Sequence, residues 1–356
     1  MSALTSDSWV LEGQKGFSSL KLVKDRPVPD LGDFDVLVKL YAASLNYRDL
    51  VIAKGSIPLP GFTPGVVPCS DGAGIIEAVG SRVRSFKAGD KVCTHLVSRL
   101  PASEVPSFSD INSGLGQHID GTLRSRGVFH ESALVSMPPA LSFTEASTLS
   151  CSGLTAWNAL FGIAGHAPKE GSSVLVQGSG GCRLLHCRYD EQFAVAVGAT
   201  VIATTSSDAK AGRLKSLGTH HVINYRTDLA WGETAKRLTP NGRGVDIVVD
   251  VGGLSTLPQS FKAVKSNGVI ALTGMLGQSE DQAAVPSLID CMLNVCIARG
   301  LLLGTRDQFV EMNRFVAENG VKPIVDEKVF GFGDAKDAFR YLESQKHFSK
   351  VCIQWE

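Results

Sequence analysis

The chain has 356 residues, enough for two domains, since single cores stop growing near ~250 to 300 residues. Its 35 basic and 35 acidic side chains cancel, and no basic run or aromatic-basic interleaving suits nucleic acid, so a small-molecule partner is expected. No apolar stretch approaches the ~20 residues needed to cross a bilayer, and the opening MSALTSDSWVLEGQKG lacks a charged start followed by an apolar core, so no membrane association and a cytoplasmic location are expected. The eight cysteines are scattered without a CxxC pair, which argues against a disulfide scaffold or a zinc ribbon.

In chain order, short segments of strand character come first: Leu20 to Val23, Asp35 to Leu40, Gly74 to Val79, Asp90 to Thr94 and Ala133 to Val135. Gly and Pro punctuate them, which predicts an antiparallel, barrel-like domain over 1–150. From 151 to 304 strands alternate with helical stretches. Val174 to Gln177, Val201 to Thr204, His221 to Ile223, Ile247 to Val251 and Val269 to Thr273 are spaced for crossover helices, the signature of a doubly wound parallel sheet. The tail, 305–356, predicts a helix at Arg306 to Asn319, a strand at Glu327 to Phe330, a helix at Asp334 to Ser344 and a strand at Lys350 to Gln354, returning to the first domain.

The most informative stretch is Ser173 to Ser207. An apolar run, Val174 to Val176, opens into Gly178, Ser179, Gly180 and Gly181, then a helical segment and a second apolar run. Small residues there let backbone N–H groups approach a dinucleotide pyrophosphate at a helix N-terminus. The second run ends in Thr204, Thr205, Ser206 and Ser207, with Lys210 and Arg213 following. NAD sites usually place a carboxylate at this point, which would repel a 2′-phosphate. Hydroxyls followed by basic residues therefore favour NADP(H), with Asp208 counting mildly against it.

Over nearly its whole length the chain resembles the medium-chain dehydrogenase/reductase superfamily, in its zinc-independent quinone-oxidoreductase-like and alcohol-dehydrogenase-like branch. The resemblance is carried by SLNYRDL at 44–50, PCSDGAGIIEAVGSRVRSFKAGDKV at 68–92, GLTAW at 153–157, GSGG at 178–181, HVINYRTD at 221–228 and SKVCIQW at 349–355. It implies a GroES-like catalytic domain and a Rossmann domain with the cofactor in the cleft between them, and relatives are often homodimers. Asn46 and Tyr47 match a cofactor-facing pair; Tyr47 could donate a proton or merely wall the cleft. Tyr225 resembles a residue beside the adenosine, and Gly252 and Gly274 occupy strand ends bordering the ribose and nicotinamide. Thr305 and Arg306 resemble a segment closing over the cofactor, with Lys350 a further contact.

Zinc-dependent relatives carry a Cys in the stretch matching SLNYRDL, a His-Glu pair matching Ser70-Asp71 and a Cys matching Cys151. Only the last survives, and residues 94 to 130 contain no Cys. Catalytic zinc takes three protein ligands, so no metal is expected. Hydride transfer from NADPH to a quinone or α,β-unsaturated carbonyl follows. An alcohol/ketone dehydrogenase, an enoyl reductase of a biosynthetic pathway, and a dinucleotide-binding protein without turnover stay open.

Two departures from the family stand out. Ten residues, CRLLHCRYDE, separate the glycine cluster from QFAVAVGA where relatives have about six. Four extra residues in a helix add roughly 6 Å and turn its face by about 40°. They also put Arg183, Arg188, Asp190 and Glu191 where a face must meet the sheet, and buried unpaired charge is costly. The other departure is Arg124, Ser125, Arg126 and Gly127, where relatives tend to have a small residue, Glu and an aromatic.

Overall fold

The computed structural model describes residues 4–56, 61–178, 187–274 and 286–355, which divide into two units, Met1–Leu154 with Thr305–Glu356, and Thr155–Gly304. The predicted glycines Gly180 and Gly181, with Arg183, lie outside the described residues.

In the first unit β1 (Thr5–Leu11) pairs with β2 (Leu20–Pro27). Then come β3 (Asp35–Ser44), α1 (Tyr47–Lys54), β4 (Asp71–Val79), β5 (Lys91–Thr94), α2 (Phe108–Asn112), β6 (Arg126–His130), β7 (Leu134–Ser136) and α3 (Phe143–Ser147). A turn of π-helix, Leu149–Gly153, leads into α4 (Leu154–Phe161). Strand β3 is central because alternate residues Val36, Val38 and Leu40 are fully buried, pointing into a core shared with Ile76, Val92 and Leu134. Each such side chain contributes about 1.5 to 3 kcal/mol on burial. It pairs antiparallel with both β4 and β6.

The second unit has a six-stranded, all-parallel sheet. Its strands are β8 (Ser173–Val176), β9 (Thr200–Thr205), β10 (His221–Asn224), β11 (Val245–Asp250), β12 (Val264–Leu272) and β13 (Ile297–Gly300). Between them lie α5 (Cys187–Ala196), α6 (Asp208–Ser216), α7 (Trp231–Arg237), α8 (Leu257–Ala263) and α9 (Leu288–Leu293). The spatial order β10-β9-β8-β11-β12-β13 is that of a Rossmann sheet, reversing direction between β8 and β11. Val174, Leu175, Val248 and Val249 are entirely buried, as strands covered on both faces must be.

The chain then returns to the first unit as α10 (Arg306–Glu318), β14 (Phe330–Gly331), α11 (Ala335–Glu343) and β15 (Cys352–Gln354). Strand β15 adds antiparallel to β3, with Ile353 opposite Ala43. The strand expected at Glu327 to Phe330 is confined to Phe330–Gly331, because Asp326 instead caps the turn, accepting from the backbone N–H of Lys328 and Phe348 and the Tyr341 hydroxyl. No described helix is long and apolar enough to cross a membrane.

The four-residue surplus ends at α5, whose Arg188, Asp190 and Glu191 are all buried. Arg188 and Glu191 pair at 2.9 Å, whereas neither carboxylate oxygen of Asp190 has a partner among the described residues. Burial, with the neighbouring Glu191, pushes the Asp190 carboxyl well above its usual range; burial likewise takes Glu191 up to about 6 against the pull of Arg188. At the other departure, Arg124 is buried over the Phe129 ring at 4.9 Å, its guanidinium 3.7 Å from Asp120. Gly127 leaves the room that this guanidinium fills, since a Cβ there would sit 2.4 Å from the Arg124 Nε and push it aside.

Candidate active site

The first unit gathers its buried polar groups around Asp71 and Lys350, and local backbone explains how. Cys69 has a left-handed φ of 69°, turning the chain just before Ser70 and Asp71. That turn is held from outside by Gly121, where a Cβ would fall 1.8 Å from the Cys69 carbonyl oxygen. Asp71 then opens β4 opposite Ser44. Its carboxylate accepts from the Ser70 hydroxyl at 2.7 Å, the Cys151 backbone N–H at 3.2 Å, and Lys350 Nζ at 3.5 Å. The Cys151 contact comes from the π-turn, a distortion frequent at functional sites.

Lys350 is fully buried just before β15, and its Nζ also donates to the Leu45 carbonyl at 3.0 Å, the Asn46 Oδ1 at 2.6 Å and the Ser152 Oγ at 3.4 Å. An ammonium can only donate, so it fixes which end of the Asn46 amide faces it. The Ser152 hydroxyl donates to the same oxygen at 3.3 Å. The amide nitrogen Nδ2 therefore points the other way, buried and without a partner among the described residues. Asn46 is also the N-cap of α1, its backbone N–H bonded to Asp49 at 2.7 Å, which clamps the residue at both ends. Burial raises the Asp49 carboxyl to about 6, with the Arg48 charge opposing. Tyr47, beside Asn46, is half-buried at the first position of α1.

The sulfur groups here are held as thiols. Burial pushes Cys69 well above its usual range and Cys93 likewise, while burial and the Asp71 carboxylate take Cys151 up to about 12. Among the described residues no three His, Cys, Asp or Glu side chains cluster as a metal site.

In the second unit the carboxyl ends of β8 and β11, where the strand order reverses, carry a closed network. Gln177 Nε2 donates to Asp250 at 2.9 Å and Ser260 at 2.8 Å, while its Oε1 accepts from Val251 N–H at 3.2 Å and Gly252 N–H at 3.4 Å. Asp250 also accepts from Gly253 N–H and Thr256. Gly178, with φ 86°, leaves β8 at this edge, and a Cβ on Gly252 would strike Thr256 at 2.5 Å. Bare backbone at the strand ends of a switch point is what a dinucleotide requires. Gly274 follows β12 at the same end of the sheet.

At the end of β9, Thr205 Oγ1 accepts from the Ser207 N–H at 3.1 Å, and Tyr225 N–H donates to the Thr205 carbonyl at 3.0 Å, so Ser206, Ser207 and Tyr225 share one corner. Lys210 lies in the first turn of α6. Asp208, at the start of α6, accepts from Asn224 Nδ2 at 2.9 Å. Thr305 is the N-cap of α10, exchanging bonds with Gln308, and Arg306 is its first residue. Lys350 and Asn46 are thus brought together in the first unit, each in contact with the other. Ser44, Ser152, Gln177 and Asp250 were not anticipated; the one signal was Asp250, an acid that follows the apolar run Ile247 to Val249 at the strand's carboxyl end.

Comparison with known proteins agrees with this architecture. Residues 32–139 match the alcohol dehydrogenase GroES-like domain, and residues 191–318 the zinc-binding dehydrogenase domain. The chain belongs to the medium-chain dehydrogenase/reductase superfamily, whose members are dinucleotide-binding oxidoreductases. It is 41% identical to a zinc-type alcohol dehydrogenase-like protein of Schizosaccharomyces pombe, over 95% of this chain and 96% of that one. It is 28% identical to an NADPH-dependent alkenal/one oxidoreductase, chloroplastic, of Arabidopsis thaliana, over 97% and 78%. A solved structure of a putative alcohol dehydrogenase from Sinorhizobium meliloti superposes with a TM-score of 0.86 at 33% identity, covering all of both chains.

Proposed function

We propose that this protein is a zinc-free, NADPH-dependent reductase of quinones or α,β-unsaturated carbonyls. The observation that carries the reading is the Asn46 amide, locked by Lys350 and Ser152 so that a buried N–H donor is left to bind a substrate oxygen. An unpaired buried donor costs about 1 to 3 kcal/mol, a cost that use in a complex would offset.

Zinc does not fit the residues present. Where zinc-dependent relatives offer a Cys and a His-Glu pair, this chain has Asn46, Ser70 and Asp71, and its remaining Cys151 is held protonated beside a buried ammonium. A second cation there would meet direct repulsion from Lys350. With no Lewis acid to draw charge from a simple ketone, a conjugated acceptor that delocalises its own developing charge is the better substrate.

When bound, the nicotinamide supplies the hydride. Asn46 Nδ2 donates to the substrate oxygen, Lys350 holds that amide in register, and the Tyr47 hydroxyl provides a proton or, failing that, one wall of the pocket. Gly178, Gly180, Gly181, Gly252 and Gly274 would admit the dinucleotide backbone; Ser206, Ser207, Lys210 and Tyr225 would take its adenosine end, and by the family resemblance Thr305 and Arg306 would close over the cofactor. Asp208 is engaged by the Asn224 amide, which turns its carboxylate toward β10. The likeness to an NADPH-dependent alkenal/one oxidoreductase supports the choice of NADPH.

The test is a fluorescence titration with NADPH and NADH, then turnover on simple quinones, enones and secondary alcohols. NADPH preference with quinone or enone reduction is expected; NADH preference, or turnover confined to secondary alcohols, overturns the proposal. Asp190 on α5, buried without a partner among the described residues, favours a second reading, a dinucleotide-binding protein without turnover, for which NADPH binds but no substrate reacts.

A further inference from the structure

We propose that Cys291 and Cys296 form a dithiol site that small disulfides such as oxidised glutathione convert into an intramolecular disulfide. The geometry comes from how α9 ends. Asn294 is its C-cap, and the next residue, Val295, takes a left-handed φ of 51°. Val295 N–H bonds the Met292 carbonyl at 3.1 Å, and Cys296 N–H bonds the Cys291 carbonyl at 3.0 Å. These are the two hydrogen bonds of a Schellman turn, in which the side chains three before the cap side and two beyond it meet in an apolar contact. Here that contact is made by two sulfurs.

A direct backbone hydrogen bond between the two residues keeps their Cα atoms within about 7 Å of each other, inside the span a disulfide bridges. The same turn sets the two side chains on one side of it, and burial, with Cys291 beside it, raises the Cys296 thiol to about 11. Both pack on one apolar cluster that includes Val248, Phe261 and Ile270, and both are partly exposed. Cys69, Cys93 and Cys352 are buried instead, out of reach of a reagent. Val295 adds a reason for a clip at this place. A β-branched residue in the left-handed region is strained and persists only where its surroundings over-determine it.

The exchange is balanced. Cys291 thiolate attacks one sulfur of oxidised glutathione and expels a glutathione thiolate, leaving a mixed disulfide. Cys296 gives up its proton, and its sulfur attacks the Cys291 sulfur and expels the second glutathione. Two protein thiols are oxidised as one small disulfide is reduced to two thiols.

The full-length protein, fully reduced, is incubated with oxidised glutathione, quenched in acid, alkylated and mapped by mass spectrometry. The peptide holding both cysteines should lose two hydrogens, carry no glutathione, and fall at least tenfold in alkylation until reductant is added. Cys296→Ser should instead trap a stable glutathione adduct on Cys291, while the Cys151 peptide alkylates equally before and after oxidation under denaturing conditions. The proposal is overturned by adducts that persist on either cysteine of the wild type, by a disulfide elsewhere, or by a pair still fully alkylated. Melting curves of the serine variants within a few degrees of wild type exclude misfolding as the source of any difference.

Discussion

Asp190→Asn is a direct probe of the unusual helix α5. The Asp190 side chain is fully buried, and both of its oxygens lack partners among the described residues. Its folded-state carboxyl is held well above the ordinary value by burial and by Glu191. A raised carboxyl pKa means that the folded state keeps a proton which the unfolded chain releases. Stability is then intact below pH ~4 and declines as pH rises, by about 1.4 kcal/mol per unit, until the folded carboxyl itself ionises. Glu191, raised to about 6, adds a loss of about 2 kcal/mol between pH 4.5 and 6 in both proteins. Asparagine matches the shape of the acid and cannot ionise, so D190N removes only the Asp190 part. Its advantage over wild type should be small near pH 4.5 and should widen steadily toward pH 7.5, by about 1.4 kcal/mol per unit as long as the folded carboxyl keeps its proton, with Tm rising in step. Thermal melts of the two proteins without cofactor, at half-unit steps over that range, measure it. Parallel curves, or a variant less stable at pH 7.5, would refute the reasoning and mean that Asp190 is paired in solution.

Asn46→Asp keeps an acceptor for Lys350 but removes the Nδ2 donor; kcat on an enone should fall by about 10²- to 10³-fold with little change in Tm, the scale for losing one preorganised donor, and a loss under threefold would count against Asn46. Lys210→Ala should weaken NADPH by about 1 to 3 kcal/mol and leave NADH almost unchanged in a fluorescence titration; equal losses would place Lys210 elsewhere than at the 2′-phosphate. Elemental analysis should find no stoichiometric zinc, and activity should survive strong chelator; one tightly held zinc per chain, with activity lost on removal, would reverse that part of the reading. Gly121→Ala should cost several kcal/mol in a denaturant melt, because its Cβ would lie 1.8 Å from the Cys69 oxygen; a near-neutral result would mean that the Cys69 turn yields.

Periodicity and turn chemistry made most of the parallel sheet legible, because each strand there is a short apolar run bounded by small residues. What escaped notice were elements without that contrast. Strand β1, TSDSWVL, begins with polar residues that bury Ser6 and Ser8 through hydrogen bonds, and β13, IARG, is a half-exposed sheet edge. Strand β6 carries Arg126, which faces Glu77 at 2.8 Å instead of a core. In the candidate site, motif resemblance picked out Asn46 and Lys350 singly. That the lysine fixes the asparagine could not be read, since 304 residues separate them and only the pairing of β15 with β3 brings them together.

That pairing also orders events during synthesis. The cation that completes the Asn46 cluster leaves the ribosome only after the whole Thr155–Gly304 unit has been made. The parallel sheet can form while the first unit still lacks its closing strand, so the Ala42–Ser44 end of β3 waits unpaired beyond β6 and Asp71 waits without its ammonium. Such a waiting edge is where a nascent chain is open to wrong pairing. Slow or interrupted translation of the segment that carries β15 would therefore be expected to lower the yield of competent sites before it lowers the amount of folded second unit.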